Sequence, residues 1–244
     1  GIIQAAVLKR GNYKDLFVLN DSIKQSLNDN GESSPLPPQF EIFISSLKSL
    51  NPSPFISQHS PVIIASSSIR RRAQWLDRYP EHTIENLRGN INNRLIKVAN
   101  SKWHGAIFAA AGLERINLRP ADAVELDWMM PAPAQGAIMV VCNENNLEIL
   151  KASSSFNDNE TALCVKIERD FLRELLGGCS APISALAQVY DDKIHFKGNL
   201  LSADGKKKIE NEKIEFLENA NNLGIQMAIK VLKKGGEEII NATR

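Results

Sequence analysis

The stretch PVIIASSSIRRRAQWLDRYPEHTIENLRGNINNRLIKVANSKWHGAIFAAAGL, residues 61–113, decides the fold class. Three short apolar runs in it, PVIIA, TIENL and GAIFAAAGL, have the length and composition of buried strands. Two helical stretches, IRRRAQWLDRY and INNRLIKVANSK, separate these runs, and Pro80 ends the first of them. Strands that alternate with helices in this way predict βαβ units around a parallel sheet.

The C-terminal third follows a different pattern, which is typical of a small α+β domain. Asp158 or Asn159 can cap an amphipathic helix, ETALCVKIERDFLRELL, which we expect to end at Gly177–Gly178. The runs ISALAQVY, KIHFKGNLL and KKIENEKIEF, with a turn at Asp204–Gly205, predict an antiparallel meander. A last helix, NLGIQMAIKVLKK, is expected to end at Gly235–Gly236.

Residues 20–60 depart from both patterns. Ten serines and five of the chain's eleven prolines fall in these positions, which predicts a long loop or insertion. Within it, DSIKQSLND can form a short helix and FEIFISSLKSL a further element. On the far side of the parallel region, a proline-containing connection at 120–135 leads to another strand candidate, GAIMVVC.

Composition excludes several classes of protein. The chain has 244 residues, 43% of them apolar, which is enough for a sizeable core, and a net charge of +1. A globally basic nucleic-acid coat and an acidic disordered tail are therefore excluded. No apolar run approaches the roughly 18 residues of a membrane-spanning helix. Three cysteines without C-x-x-C spacing speak against a disulfide framework or a zinc ribbon, so we expect a reducing cytoplasm.

Positive charge is concentrated between Ser68 and Arg119. This segment holds ten Lys and Arg side chains against four Asp and Glu, a net charge of +6, while the rest of the chain carries −5. In a parallel α/β sheet, ligands bind at the carboxyl ends of strands, and guanidinium groups hold carboxylates or phosphates in bidentate pairs. Four arginines occupy such strand ends or helix starts: Arg70, Arg71, Arg88 and Arg94.

This pattern predicts a site for a polyanionic ligand. Ser66, Ser67 and Ser68 add hydroxyl donors beside a helix N-terminus, where backbone N–H groups are exposed. For any single arginine, a solvated basic face is an equally good interpretation. The recurrence of arginine at several strand ends favours the site, and we expect the four arginines to converge on one cleft.

The cysteines and histidines give weaker indications. Cys179, in GGCSAP, has two glycines before it, so its thiol can be reached, although a small structural residue is the more common role for such a cysteine. Cys142 and Cys164 lie in apolar patterns and are predicted to be core residues. The histidines form no pattern that supports a catalytic triad or a metal site: His59, His82, His104 and His195.

Five motifs occur in an order and spacing that resembles the porphobilinogen deaminase family, also called the hydroxymethylbilane synthases: SSSIRRRAQW, NLRGNINNRL, AAAGLERINL, PAPAQGAI and ERDFLRELLGGCSAPI. The flanks agree, because KRGNYKDLFV is similar to the family's R-E-D-P-R-D-A-hydrophobic run, while KIHFKGNLLSADGK and NLGIQMAIKVLKKGGEEII resemble its C-terminal domain. The resemblance covers nearly all of the chain apart from about residues 20–60.

The resemblance implies a cytoplasmic transferase of porphyrin and haem biosynthesis. Such an enzyme joins four porphobilinogen units stepwise, with loss of ammonia, and releases the linear tetrapyrrole hydroxymethylbilane. It also implies a covalent dipyrromethane cofactor in thioether linkage to Cys179, on which each pyrrole carries an acetate and a propionate. The residues on family positions that line this cleft are Ser68, Arg70, Arg71, Arg88, Asn90, Arg94, Arg115 and Gln135. Arg72 falls where the family varies and is not carried over.

The implied fold has doubly wound α/β domains similar to type II periplasmic binding proteins, followed by a small α+β domain. On this sequence, residues 1–133 correspond to the second α/β domain with the insertion at about 20–60. Residues 134–152 correspond to the returning strand and helix of the first domain, and residues 153–244 to the C-terminal domain that carries Cys179. The resemblance implies a monomer that binds porphobilinogen and the growing polypyrrole, with no nucleic acid, membrane or metal.

The sequence departs from the family in two places. The family's H-S-x-K-D motif, whose aspartate is the general acid/base, is not found; ISSLKS at 44–49 has Ser49 in place of that aspartate and is taken as chance. We therefore assign no catalytic residue in this chain and expect the chain alone, as a form that lacks the family's N-terminal segment, to be inactive. His104 also stands where an acidic residue is common.

Three functions remain open at this point. The first is a porphobilinogen deaminase, and the second is a non-catalytic relative that binds anions or tetrapyrroles. The sequence upstream of Gly1 would separate these two, because the enzyme requires an H-S-x-K-D segment. The third is nucleic-acid binding through Arg70–Arg72, which the near-zero net charge disfavours and which salt-dependent DNA affinity would support.

Overall fold

The computed structural model describes residues 1–21, 38–49, 62–175 and 181–242, with the backbone alone at 38–42. The chain divides into two compact units. The parallel-sheet unit comprises Lys14–Met129 and Ala203–Lys207, and the meander unit comprises Gly1–Tyr13, Met130–Ser202 and Lys208–Arg244. The predicted three-part division at 133 and 152 stays a prediction.

The described residues contain ten strands, in chain order β1 (Ile2–Val7), β2 (Asp15–Leu19), β3 (Ile63–Ala65), β4 (Thr83–Glu85), β5 (Gly105–Ala109), β6 (Val124–Glu125), β7 (Met139–Asn143), β8 (Ile183–Tyr190), β9 (Lys193–Leu201) and β10 (Lys208–Phe216). Their α-helices are α1 (Pro38–Lys48), α2 (Ile69–Arg78), α3 (Ile91–Ala99), α4 (Ala110–Glu114), α5 (Leu147–Ser154), α6 (Asn159–Glu174), α7 (Leu223–Val231) and α8 (Glu237–Asn241). None of these helices is long and apolar enough to cross a membrane.

The parallel-sheet unit is built on a five-stranded sheet in the order β4-β3-β5-β2-β6. Strand β3 pairs in parallel with both β4 and β5, which confirms the predicted βαβ arrangement. Strand β2 instead pairs antiparallel with β5 and β6, so the sheet is mixed. All five residues of β2 are buried because the strand has neighbours on both sides and apolar clusters on both faces.

Two helices of this unit begin where the sequence predicts and end slightly earlier. Helix α2 starts after the cap residue Ser68 and stops at Arg78, close before Pro80. Helix α3 starts after Asn90 and ends at Ala99 rather than at Lys102. The side-chain amide of the buried Asn20 fixes this end, because it donates to the carbonyl group of Val98 in the last turn and to those of Ser101 and Trp103 beyond the helix.

Two predictions for this unit need correction or lie outside the described residues. The run GAIFAAAGL is not one strand, since β5 ends at Ala109 and α4 follows at once, as the helix propensity of the alanines favours. The predicted further element at FEIFISSLKSL is helix α1. The predicted helix at DSIKQSLND lies outside the described residues from Ser22 onward.

The meander unit has two sheets. Strands β8, β9 and β10 form the predicted antiparallel meander, in which Phe196 on β9 packs edge-on against Phe171 of α6 at 5.2 Å between ring centroids. Helix α7 lies close against α6, since a Cβ on Gly224 would clash with the carbonyl oxygen of Ile167. Strands β1 and β7 form a separate antiparallel pair.

Two of the predicted helix ends of this unit agree with the structure, and a third lies outside the described residues. Asp158 is the cap of α6, and its carboxylate accepts from the backbone N–H of Thr161 at 2.8 Å. Helix α6 ends at Glu174, and the predicted end at Gly177–Gly178 lies outside the described residues. The last predicted helix ends where the sequence predicts, because α7 continues past Val231 in a single π-helical turn and Gly235 then takes a φ of +96°, which glycine adopts without strain, before α8 begins.

Candidate functional site

The first group of predicted residues lies at the N-terminal end of α2. The chain leaves β3 at Ala65, and the backbone N–H of Ser68 donates to the hydroxyl of Ser66 at 3.3 Å. The Ser68 hydroxyl in turn accepts from the backbone N–H of Arg71 at 3.5 Å, as an N-cap does. These serines therefore fix the turn that places Arg70 and Arg71 over the sheet.

Arg70 and Arg71 share a single buried carboxylate, that of Asp15 on β2. The Nη2 atom of Arg70 lies 2.7 Å from Oδ2 of Asp15. Arg71 contacts the other oxygen, Oδ1, through Nε at 3.0 Å and Nη2 at 2.7 Å. Asp15 is fully buried and Arg70 is 5% exposed, so this is an ion-pair network inside the domain rather than on its surface.

The electrostatics of this network keep Asp15 ionised. Burial on its own opposes the charge, but the two guanidinium groups outweigh burial and hold the pKa of the Asp15 carboxyl below its usual value. Two positive groups face one negative group, so the network retains an excess of one positive charge. Arg71 is the more accessible of the two, with 12% of its side chain exposed against 6% for Arg70.

A second group of predicted residues lies around an open cavity at the N-terminal end of α3. The cavity has a volume of about 470 Å³ and is lined by Gly89, Asn90, Ile91, Asn92, Arg94 and Ile116. Asn90 caps the helix by accepting from the backbone N–H of Asn93 at 2.9 Å. The Nε of Arg94 donates to the carbonyl oxygen of Gly89 at 2.7 Å, which leaves the Nη groups of Arg94 beside the helix start.

Two further predicted arginines flank this cavity in the chain. Arg88 precedes Gly89 and Arg115 precedes Ile116, and both arginines are exposed. The structure thus brings four predicted residues to one edge of the parallel-sheet unit: Arg88, Asn90, Arg94 and Arg115. A single cleft that also includes Arg70 and Arg71 stays a prediction.

Gln135 belongs to the meander unit and is held in place by the backbone. Its Nε2 donates to the carbonyl oxygen of Tyr13 at 2.7 Å, and its Oε1 accepts from the backbone N–H of Ala132 at 3.4 Å. The neighbouring Ala134 takes a φ of +64°, an unusual conformation for a residue other than glycine. The structure shows Gln135 as a bridge between two chain segments.

The same part of the meander unit contains a buried ion pair between Arg10 and Glu168. The two guanidinium Nη atoms lie 2.7 and 2.6 Å from the two carboxylate oxygens. Glu168 is fully buried and also accepts from the backbone N–H groups of Ala134 and Ala187, each at 2.7 Å. Four donors thus satisfy one carboxylate, as a buried charge requires.

The cysteines divide as follows. Cys179 lies outside the described residues. Cys164 is a core residue, as predicted, and burial raises the pKa of its thiol to about 12, which disfavours the nucleophilic thiolate at neutral pH. Cys142 is only partly buried, because β7 has β1 as its single partner strand, and the prediction of a core position is wrong for it.

The histidines hold no metal site within the described residues, where no group of three or more His, Cys, Asp or Glu side chains could bind an ion. His82 lies in an aromatic cluster instead. Its ring stacks on Tyr79 at 4.8 Å, and its Nδ1 accepts from the indole N–H of Trp75 at 3.2 Å. Burial, and to a lesser extent the nearby His104, lowers the pKa of His82 to about 4.

Comparison with known proteins identifies the family. The family model described as "Porphobilinogen deaminase, dipyromethane cofactor binding domain" matches residues 1–151. The chain belongs to the porphobilinogen deaminase family. The model described as "Porphobilinogen deaminase, C-terminal domain" matches residues 162–233, so the family's two parts follow each other along this chain.

Individual relatives in the porphobilinogen deaminase family show moderate identity. A porphobilinogen deaminase of Listeria welshimeri is 36% identical over 187 residues, which is 75% of this chain and 60% of the relative. One from Methylobacillus flagellatus is 36% identical over 182 residues, with 74% and 59% coverage. One from Macrococcus caseolyticus is 37% identical over 184 residues, with 73% and 58% coverage. The chain thus spans about three fifths of the length of the curated relatives it matches.

Two buried carboxylates that hold arginine side chains were not singled out from the sequence, although the sequence contains a signal for each. Asp15 is a charged residue in the otherwise apolar and fully buried strand DLFVL. Glu168 lies on the apolar stripe of α6 with Cys164 and Phe171, at helical spacing. An acid at a buried position predicts a buried basic partner, and this rule would have identified both.

Proposed function

We propose that this chain is part of a hydroxymethylbilane synthase, a transferase of porphyrin and haem biosynthesis that acts in the cytoplasm as a monomer. The reaction joins four porphobilinogen molecules head to tail, releases one ammonia for each, and yields hydroxymethylbilane. Porphobilinogen and the growing polypyrrole are the ligands, and neither nucleic acid nor membrane is involved. The membership of residues 1–151 in the family's cofactor-binding domain supports this assignment.

The observation that carries the proposal is the arginine-flanked cavity at the N-terminal end of α3. Its volume of about 470 Å³ suits a ligand of a few pyrrole rings. Arg94 and the exposed Arg88 and Arg115 supply guanidinium groups for the acetates and propionates, and the N-terminal end of α3 adds a favourable field for negative charge. The residues serve to bind and orient, and we assign no proton transfer to any of them.

The donor set also fits the family's dipyrromethane cofactor. A dipyrromethane carries several carboxylates, and the structure offers a cavity bordered by guanidinium groups together with the positively charged network of Arg70, Arg71 and Asp15. When bound, this cofactor supplies the primer to which porphobilinogen units are joined. We assign its carboxylates to Ser68, Arg70, Arg71, Arg88, Asn90, Arg94, Arg115 and Gln135, and its thioether to Cys179.

Two structural assignments belong to the same proposal. We infer that the parallel-sheet unit has the doubly wound topology of type II periplasmic binding proteins, for which the parallel pairing of β3 with β4 and β5 speaks. We also infer the division into domains at residues 1–133, 134–152 and 153–244. The family matches to residues 1–151 and 162–233 support a boundary near 152.

The test uses the complete protein encoded by the gene, in three forms: wild type, Cys179→Ser and Cys142→Ser. Wild type and Cys142→Ser should release ammonia from porphobilinogen and form uroporphyrin after oxidation of the product. Both should show the mass of a dipyrromethane on the peptide that contains Cys179. Cys179→Ser should lack the adduct and the activity. A pyrrole adduct on Cys142 or Cys164 would contradict the attachment site, and anion binding without turnover in wild type would favour a non-catalytic relative.

A further inference from the structure

We propose that helix α1, within the 20–60 segment, positions helix α2, and that Arg78 is the positioning residue through which it does so. The segment 20–60 departs from the sequence patterns on either side of it, although the family match to residues 1–151 spans it. Helix α1 is then part of the anion-binding domain rather than an addition to its surface. It rests on the proposed function for the identity of the ligand only, since the contacts described next are independent of it.

Arg78 joins three parts of the parallel-sheet unit. Its Nη2 donates to the carbonyl oxygens of Ser46 and Ser49, at 3.0 and 2.6 Å, at the C-terminal end of α1. Its Nε donates to the hydroxyl of Tyr79 at 3.0 Å, and its guanidinium lies over the ring of Trp128 at 4.6 Å from the centroid. The last carbonyls of a helix lack partners within it, and a cation there also meets the negative end of the helix dipole.

Apolar packing holds α1 against the same helix. Phe43 of α1 is 2% exposed and contacts the rings of Trp75 and Tyr79 on the α2 side at centroid distances of 6.2 and 6.0 Å. It also meets Phe17 of β2 at 6.0 Å, and Leu47 of α1 is fully buried in the same cluster. A segment of low sequence complexity thus contributes two core residues to the domain.

Strand β2 shows why these contacts affect the arginines. Asp15 and Phe17 are two residues apart on β2, so their side chains point to the same face of the sheet. Asp15 holds the first turn of α2 through Arg70, and Phe17 stacks on Trp75 further along the helix, at 5.4 Å. Helix α2 is therefore fixed to β2 at its start by the ion pairs and towards its end by the aromatic cluster that α1 covers.

The contacts at the two ends of α2 imply that a displacement of its C-terminal end reaches its N-terminal turn. A helix of ten residues is about 15 Å long and moves as a rod, so loosening its C-terminal end tilts its N-terminal turn. The two ion pairs to Asp15 depend on distances near 2.7 Å, and a small tilt weakens them. Arg78 itself contacts carbonyl groups and rings within the domain, so its effect on a ligand passes through α2.

The experiment compares Arg78→Met and Arg78→Lys with wild type and with Arg72→Met in the complete protein. Arg72 is a matched control, because it lies on the same helix and its Nη1 donates to a single carbonyl oxygen, that of Ile84 before α3. Hydrogen exchange is followed in two peptides, residues 43–48 of α1 and residues 68–72 at the start of α2. Steady-state kinetics with porphobilinogen give KM and kcat for the same samples.

In Arg78→Met we expect exchange to accelerate at least about tenfold in both peptides, because all three hydrogen bonds of the guanidinium are lost, two of them to the end of α1. KM should rise while kcat is retained, and Arg78→Lys, which keeps the charge at the helix end, should recover part of both effects. Arg72→Met should leave residues 43–48 unchanged. If Arg78→Met does not fold, Arg78→Lys carries the same comparison against Arg72→Met.

Faster exchange confined to residues 43–48, with KM unchanged, would show that Arg78 only anchors α1 and would overturn the proposal. Unchanged exchange at 43–48 would overturn it as well. If wild type shows no turnover, the proposed function fails, and the exchange of residues 68–72 alone then decides whether α1 positions α2.

Discussion

Asp15 is the single residue on which the arginine pair depends. It is fully buried, it accepts hydrogen bonds from Arg70 and Arg71 on both of its oxygens, and it comes from a strand that lies 55 residues earlier than Arg70. Its partners are what allow a charge to remain in the interior of the sheet. The strand-end arginines could be predicted from the local sequence, but a pairing across this distance depends on the sheet order and could not.

Asp15→Asn should destabilise the parallel-sheet unit by about 3–5 kcal/mol, because it removes the buried carboxylate charge that both Arg70 and Arg71 contact. Urea unfolding at pH 7 measures this change. The matched control is Glu125→Gln on the adjacent strand β6, whose carboxylate pairs with Lys14 and Arg119 at the surface and should matter by about 0–1 kcal/mol. An equal loss of unfolding free energy in the two variants would mean that the buried Asp15 network stabilises the unit no more than a surface ion pair does.

At the scale of elements, the order of strands and helices in residues 61–113 follows from the sequence, whereas the packing of α1 does not. Alternating apolar runs and capped helices predict β3, α2, β4, α3 and β5, and the structure contains them in this order. Helix α1 lies in a segment rich in serine and proline, and only tertiary contact with Trp75 and Tyr79 explains why Phe43 is buried there. Intrinsic propensity is a weak guide where tertiary packing decides.

The hydrogen bond between Trp75 on α2 and His82 before β4 predicts that the folded chain loses stability in acid. His82 accepts from Trp75 through Nδ1, and burial holds its pKa near 4 in the folded chain, against about 6.5 when unfolded. The unfolded chain therefore binds more protons between these values, and His82 reduces stability as the pH falls from about 6.5 to 4, by about 1.4 kcal/mol per unit. Above pH 6.5 its contribution is constant.

Urea unfolding at pH 7.0, 5.5 and 4.5 measures this effect as the difference between wild type and His82→Phe. The variant should have a shallower decline of stability over this range. His195→Gln serves as control, because His195 lies at the surface beside Glu212 rather than in the aromatic cluster. Parallel curves for wild type and His82→Phe would show that His82 does not titrate on unfolding.

At the scale of the whole molecule, the structure shows that part of the positive charge of residues 68–119 is compensated by nearby acids. The segment 68–119 carries +6 by sequence, but several of its charges are compensated locally. Asp15 takes up one charge of the Arg70–Arg71 pair, and Arg119 contacts both Glu114 and Glu125. The net charge of the segment could be predicted, whereas which of its charges are compensated depends on which acids the fold brings close.

The arginine side chains at the α3 cavity, Arg88, Arg94 and Arg115, predict that the complete protein binds porphobilinogen in a salt-dependent way. Attraction between exposed charges is screened within about 10 Å at 0.1 M salt and about 3 Å at 1 M, so KM should rise with salt while kcat changes little. Arg88→Gln and Arg115→Gln each remove one exposed charge and should flatten this rise. Arg119→Gln should keep the wild-type slope, because the charge of Arg119 is already paired with two glutamates. A KM independent of salt, or an equal flattening in Arg119→Gln, would show that long-range charge at this edge does not guide the ligand.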